Sequence, residues 1–477
     1  MGLRLTFFTP VLVLSLTIGK AQQSNSPFLM HRIPQSNLIN PAVQIDCPVY
    51  VGLPFLSSLH LNLNSTGFSY ADIANGTGNA YLPGLVSQMH SWDYLSEEIH
   101  YSPVSFGFMY DNDQYFSFAW TERVESKLFV SKKLMSLVAN GNTQYAGNGL
   151  VTSNPGINSF YYREFSFGYS RRLQSDMLVG AHAKILFGLA GLYTRKNRIN
   201  IEIDGLTYNT DVSWGPQVNV AYPLSVTTNA QGDVTEVSAA SFSPWPFFLN
   251  FSNPGIAFDF GFVKPNDPIT WSGSILDIGL IWWFKSTSRF SNDGHFIYNG
   301  ATPADPTDPN QYIDMLADSI NNQVQFQYSR NSFVSLLNPK LYFGGTYKVT
   351  SQLIAGAHLR TEWYPGRPVV GLTLSAIALA KKGSSFSLTY SVMNGSFTNI
   401  GAAFNLGGES FQFYMLTDNL LAPFYPEKVR NANLRFGFNL FWGCKQKKKK
   451  LSFPTTSGEG CFWTWDLNEK RKHHGVK

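Results

Sequence analysis

Charge is what this chain has least of. Asp, Glu, Lys and Arg make up 14% of its 477 residues, against about 25% in an ordinary soluble domain, so much of its surface is not built to face water. Long apolar runs are missing as well. Beyond the N-terminal leader no stretch reaches the roughly 18 uninterrupted apolar positions of a membrane-spanning helix. The three cysteines are too few for a disulfide-dense secreted scaffold. Gly-x-Ser-x-Gly, His-Glu-x-x-His, P-loop and dinucleotide-binding glycine patterns are all absent, and the nine His are scattered without metal-ligand spacing. The sequence therefore offers no catalytic residue, no metal site and no cofactor.

Aromatic residues, in contrast, are abundant: 15% of the chain, with 38 Phe, 23 Tyr and 11 Trp. Mean hydropathy stays near zero at −0.11, too polar for a helical membrane protein but natural for strands whose side chains alternate between lipid and a polar interior. The start of the chain reads as an export signal: Arg4, an apolar stretch over residues 5–18, then the small-x-small site Gly19-Lys-Ala21. Residues 1–21 are the expected leader, and Gln22 the expected mature N-terminus. An exported chain without a membrane helix is a soluble periplasmic or secreted protein or an outer-membrane β-barrel; the composition favours the barrel.

Strand periodicity supports that reading. In Asn431–Trp442 the side chains of Leu434, Phe436, Phe438, Leu440 and Trp442 share one face, and Asn433, Arg435, Gly437 and Asn439 the other, with only Phe441 out of pattern. An amphipathic aromatic strand near the C-terminus is suited to closing a barrel, because in lipid every backbone group needs a neighbouring strand. Similar two-residue alternation occupies 104–110, 115–122, 164–170, 179–189, 255–263, 269–284, 341–349, 352–363, 371–380, 385–392, 398–406 and 411–417. From residue 340 onward the breaks are very short, and Asn394-Gly395 is a hairpin signal, since both positions of that turn need positive φ. An up-and-down antiparallel barrel of about 14 strands, within 12 to 16, is expected. Segments 75–101 (with a short helix over 83–95), 133–158, 224–246 and 292–338 (with a helix starting at Asp308) break the pattern as long loops. Long connections at one end and short turns at the other fit the extracellular and periplasmic sides of such a barrel. Residues 22–56 are assigned to an N-terminal plug or periplasmic segment, 57–444 to the barrel and 445–477 to a periplasmic tail.

The net charge of +5 belongs to the ends of the chain. The tail after Cys444 carries nine Lys/Arg against three Asp/Glu, and the leader adds Arg4 and Lys20, which leaves the body at −3. Basic residues concentrated in a tail are no nucleic-acid-binding face. The tail is either a solvated end or a segment that docks on an anionic surface or an envelope protein partner, with Phe462-Trp-Thr-Trp465 as the contact. The barrel's other expected partners are outer-membrane lipid or lipopolysaccharide and a small hydrophobic or amphipathic ligand.

Ten charged or titratable residues fall on the polar side of their strands and are the candidate lumen lining: Glu164, His182, Lys184, Asp259, Asp277, Lys348, His358, Arg360, Glu362 and Arg435. They make either a substrate path or a salt-bridged network that stiffens a filled lumen. Mixed signs favour the network over a selective ring. Asp277 lies in an otherwise apolar strand and needs a lumenal Arg or Lys partner. Trp271, Trp282, Trp283, Trp363, Tyr364 and Trp442 lie near strand ends and are read as interfacial girdle residues. Cys47 and Cys444, before and at the end of the barrel, are able to pair in an oxidising compartment, as are Cys444 and Cys461.

Several motifs resemble one family. Gln35-Ser-Asn-Leu-Ile-Asn-Pro-Ala42, Gly52-Leu-Pro and Ser65-Thr-Gly-Phe-Ser-Tyr70 look like the start of a Bacteroidota outer-membrane barrel family known only as a domain of unknown function. Asn253-Pro-Gly-Ile-Ala-Phe-Asp-Phe-Gly261, Ser274-Ile-Leu-Asp-Ile-Gly279 and Leu416-Thr-Asp-Asn-Leu-Leu-Ala-Pro-Phe424 are similar to its later motifs. Asn40-Pro41-Ala42 also resembles the Asn-Pro-Ala of the long-chain fatty-acid transporter barrels, in which an N-terminal segment plugs the lumen. The resemblance implies an outer-membrane barrel, plugged near Asn40, Pro41 and Ala42, that moves a small amphipathic or hydrophobic molecule. The same superfamily includes a barrel that serves type IX protein secretion, so a sealed accessory barrel is the second expectation.

Overall fold

The computed structural model describes residues 26–444 except 46, 68–80, 112, 154, 241–242, 293, 299–324, 365–366, 381–382, 394–395, 409, 423 and 426–429. The leader, the tail, Cys461, the helix start at Asp308 and the Asn394-Gly395 turn lie outside the described residues.

Alternating side chains fold into one closed antiparallel sheet whose nineteen strands fill fourteen wall positions. In chain order the positions are β1 (Ser58–Ser65), β2 (Trp92–Tyr110), β3 (Gln114–Ser131), β4 (Gly156–Arg172), β5 (Leu178–Lys196), β6 (Pro254–Asn266), β7 (Ile269–Trp283), β8 (Lys340–Lys348), β9 (Leu353–Tyr364), β10 (Arg367–Leu379), β11 (Ser385–Met393), β12 (Ser396–Gly407), β13 (Phe411–Thr417) and β14 (Asn431–Trp442). Each pairs with the next, and β14 returns to β1, Leu61 lying opposite Leu434, so the wall has no free edge. Short pieces extend four positions. Val49–Gly52 continues β1 and also pairs with β14, Gln217–Ala221 continues β6, Thr287–Ser291 continues β7, and Phe333–Leu336 with Gln327–Ser329 continue β8.

The period of two separates two environments. Outside, Phe106, Phe167, Phe258, Ile278, Leu359, Leu374, Leu388 and Ile400 present an apolar band suited to hydrocarbon. Trp271 and Trp442 mark its lower rim, at the end with short turns, and Trp282 and Trp363 the upper rim, at the end with long connections. Trp283 departs from the girdle reading. One residue beyond Trp282 it points inward, fully buried, stacked on Phe160 and Phe333, with its indole N–H donated to Ser335 Oγ at 2.8 Å.

Three of the loops expected from the sequence are partly wall: Gln327–Ser329 and Phe333–Leu336 of 292–338 extend β8, and the other two supply strand starts. The helix expected over 83–95 is Tyr81–Gln88, and β2 already begins at Trp92; likewise β4 begins at Gly156, inside the polar 133–158 stretch. The physical reason is length. Strands β2 to β5 run 17 to 19 residues, whereas about 9–11 cross the hydrocarbon. Their upper ends stand clear of lipid, where the outward face no longer has to be apolar. Above them a four-stranded sheet (Gly149–Ser153, Arg198–Ile203, Thr210–Trp214, Gly294–Tyr298) packs Leu150, Ile201, Ile203 and Val212 against Leu134 and Leu137 of helix Lys132–Asn140.

Candidate functional site: a plugged and ion-paired lumen

Residues 26–45 thread the lower half of the lumen as two short 3-10 turns, Ser26–Leu29 and Pro34–Leu38, and almost all of them are buried. Pro27, Pro34 and Pro41 prevent a continuous helix or strand, so beyond short turn bonds such as Met30 N–H to Pro27 O and Ile39 N–H to Ser36 O the backbone is tied to the wall through side chains. Ser274 Oγ donates to Ile39 O at 2.6 Å, and Gln412 Nε2 to Arg32 O at 3.0 Å. Arg32 donates in turn to the carbonyls of Ala380 and Ser384 at the β10–β11 turn, and Ser26 is held by Asp418. Gln35 and Asn439 exchange amide hydrogen bonds at 2.6 and 3.0 Å. The apolar side chains are shared out around the wall: Phe28, Leu29 and Ile39 meet Leu276, Tyr342, Ile354 and Ile377, while Met30 and Ile33 meet Ala403, Tyr414 and Leu416.

Asn40, Pro41 and Ala42 form an Asx turn, with Asn40 Oδ1 accepting from Ala42 N–H at 3.0 Å and its amide donating to Phe262 O at 3.1 Å. The turn sits against Gly180 and Gly261, where any Cβ would collide with the Pro41 carbonyl and the Asn40 side chain. Asn37 spends both amide hydrogens on Pro41 O and Val43 O, so its oxygen is the atom that receives Ser117 Oγ at 2.9 Å and faces His182 Nε2 at 3.0 Å. The plug ends sooner than residue 56, because Val49–Gly52 is already wall. At that junction a disulfide joins Cys47 to Cys444, over a cluster of Ile45, Tyr50, Tyr115 and Phe441. It staples the first and last strands at the seam of the barrel, and Phe441, an apolar residue at a regular inward position of its strand, packs beneath it.

Above the plug lies an ion-paired layer centred on Asp277. Its carboxylate receives Arg123 through both terminal nitrogens at 2.9 Å, Lys184 at 2.8 Å and Lys340 at 3.3 Å. Asp277 has φ of +60°, rare for a non-glycine residue but tolerated by Asp, at a register shift between β6 and β7. Its N–H donates to Asp259 Oδ1 at 2.8 Å. Asp259 also pairs with Lys184 at 2.7 Å and His182 at 3.1 Å, and Glu164 with Arg123 at 2.7 Å. Glu125 binds Arg123 at 2.7 Å, while Glu362 bridges Lys127 at 2.9 Å and Arg360 at 2.6 Å. His358 packs against Phe28 and Tyr342, and Arg435 is buried on the opposite side. Lys348 is the exception among the ten candidates: it keeps the inward register but is the last residue of β8, below the filled lumen, and is exposed. Counting Glu98, six buried carboxylates meet six buried cations, so the layer is neutral rather than a selective ring of one sign.

Arg123, Glu125, Lys127, Lys340 and Glu98 were not among the sequence candidates. Arg123-x-Glu125-x-Lys127 continues the period of two beyond residue 122 and is the signal that reveals the first three. Between the plug and the ions remains a cavity of about 70 Å³, lined by Leu38, Ile39, His100, Arg123, Lys184 and Arg360 among others. That volume holds a few waters, whereas benzene needs an apolar cavity of about 150 Å³. Among the described residues no group of His, Cys, Asp or Glu is placed to hold a metal ion.

A closed antiparallel wall, an apolar belt and a chain segment filling the lumen define a plugged outer-membrane β-barrel. The chain belongs to a family of unknown function (DUF5723), whose model matches residues 41–418. No curated protein matches it. Among solved structures it is similar to the toluene transporter TbuX of Ralstonia pickettii, at 9% identity over 89% of this chain and 95% of that one, with a TM-score of 0.41. The toluene transporter TodX of P. putida is similar at 9% identity over 88% and 94%, with a TM-score of 0.35. Likenesses this loose fix neither substrate nor path.

Proposed function

We propose that the protein is an outer-membrane transport or channel barrel for a small hydrophobic or amphipathic molecule, with no catalytic chemistry of its own. The observation that carries this reading is that the lower lumen is filled by a segment which contributes no strand to the wall and is joined to it only beyond Cys47. Residues 26–45 can leave without breaking a wall hydrogen bond, and most of their polar contacts are of a kind that water can replace. In this reading the short turns face the periplasm and the long connections the exterior, and a ligand collected at the outer mouth descends past the displaced plug.

The test is uptake of a medium-chain fatty acid and of a small neutral aromatic into liposomes carrying the full chain or a variant lacking residues 26–45. Faster uptake of either solute through the shortened form supports a plugged path. The small charged cavity favours a second reading, a sealed barrel acting as an accessory partner in an envelope assembly. Impermeability of both forms would move the function to that reading.

A further inference from the structure

Between Ala221 and Pro254 the chain leaves the wall and later returns to the same strand position. Its upper piece pairs with β5 from Lys196 to Gly191, and β6 resumes at Phe187. Asn253 serves the backbone in between. Its carbonyl accepts from Gly188 N–H, its side-chain amide donates to Gly188 O at 3.1 Å, and its side-chain oxygen accepts from Phe284 and Lys285 N–H at 3.0 and 2.8 Å.

On its way back the chain passes over the outside of the barrel. The short helix Pro244–Phe248 and the residues to Phe251 lie on β4 and β5: Phe247 meets Tyr161 at 5.6 Å, and Phe251 meets Phe187 edge-on at 5.2 Å. Beneath them is a charged pair on the outward face, Arg163 to Glu122 at 2.5 Å. Arg163 also donates to Phe248 O at 2.8 Å and lies over the rings of Trp120 and Phe251. The segment is thus a cover that shields an ion pair from lipid, where an exposed charge is costly. Its other side faces outward, with Trp245 77%, Leu249 66% and Phe251 51% exposed. Phe187, Pro254 and Trp282 share one row across the wall, so this surface is continuous with the upper end of the apolar belt.

We propose that residues 244–251 are an in-plane membrane anchor, inserting Trp245, Leu249 and Phe251 among the upper acyl chains of the leaflet at the long-loop end. Bilayer acyl chains are the occupant, because the patch extends a surface that lipid already covers and Asn250 is its only uncharged polar residue, with no charge anywhere in it. The inference rests on the barrel lying in a membrane, and the test separates the two.

The full chain and Trp245→Phe are placed in nanodiscs of phosphatidylcholine brominated near the top of the acyl chains, and tryptophan emission is compared with discs of unbrominated lipid. The emission lost with Trp245 should be strongly quenched by bromine and hardly affected by aqueous iodide. If the remaining tryptophans, which include Trp271, Trp282, Trp363 and Trp442 of the belt, are quenched while the Trp245 component responds only to iodide, the anchor is overturned and the membrane barrel stands. If bromine quenches no tryptophan, both fail.

Discussion

The two sides of the lumen solve the same problem differently. From β3 to β9 the inward positions carry long charged side chains, Arg123, Glu125, Glu164, Lys184, Asp259, Asp277, Lys340, Arg360 and Glu362, tied to one another. From β10 to β14 they carry mainly small hydroxyls and amides: Thr373, Ser387, Thr389, Ser391, Asn399, Asn405, Asn433 and Asn439. The charged side is held in place, because each ion there is buried and stays in place only with its partners. The small polar side has little volume of its own and leaves its lower half to the plug, where Met30, Ile33 and Arg32 lie. The plug docks on both flanks, at Gly180 and Gly261 as well as at Gln412 and Asn439, but only the β3 to β9 flank also fills the lumen with its own long side chains, so moving the plug leaves the β10 to β14 side the more open one. The path expected after plug movement therefore runs along β10 to β14.

The comparison breaks most severely at Asp277. Asp277→Ala leaves Arg123, Lys184 and Lys340 without their shared carboxylate, and losing one partner of a buried ion pair costs about 3–5 kcal/mol. The barrel should unfold at a markedly lower temperature in a heat-modifiability gel. Cys47→Ser opens the seam between the first and last strands and should cost about 2–4 kcal/mol of barrel stability, read in the same gel, with little effect on permeability, because the plug remains joined through Val49 to the wall. Gly180→Val sharpens the contrast by unseating only the Asn40–Ala42 turn. Overpacking of this kind costs about 1–3 kcal/mol, here drawn from docking, so protease should reach residues 26–45 while the wall stays folded. Lys348→Ala, at an exposed strand end, should change stability by less than about 0.5 kcal/mol.

Much of the wall is legible in the sequence, because a strand in lipid has to alternate and the short turns between later strands leave little ambiguity. The upper parts of β2 to β5 are not, since above the membrane the constraint that writes the pattern lapses, as at the outward pair Glu97 and Ser126. Adjacent Trp282 and Trp283 look equivalent as letters, yet one residue of register sends one to lipid and the other to a buried stack. The inward orientation of Asp277 follows from its apolar neighbours, but its three cationic partners come from strands 93 to 154 positions away or on the neighbouring position in the sheet. No spacing announces such a meeting. The glycines at 180 and 261 become interpretable only once the Asn-Pro-Ala turn is seen against them.

The central claim, a path closed by residues 26–45 and opened without disturbing the wall, is tested most directly by single-channel conductance in planar bilayers. The full chain should be electrically silent or nearly so, and the variant lacking residues 26–45 should show steady conductance that falls when Thr389 is replaced by Trp. A shortened barrel that inserts and folds yet stays as silent as the full chain would contradict the account.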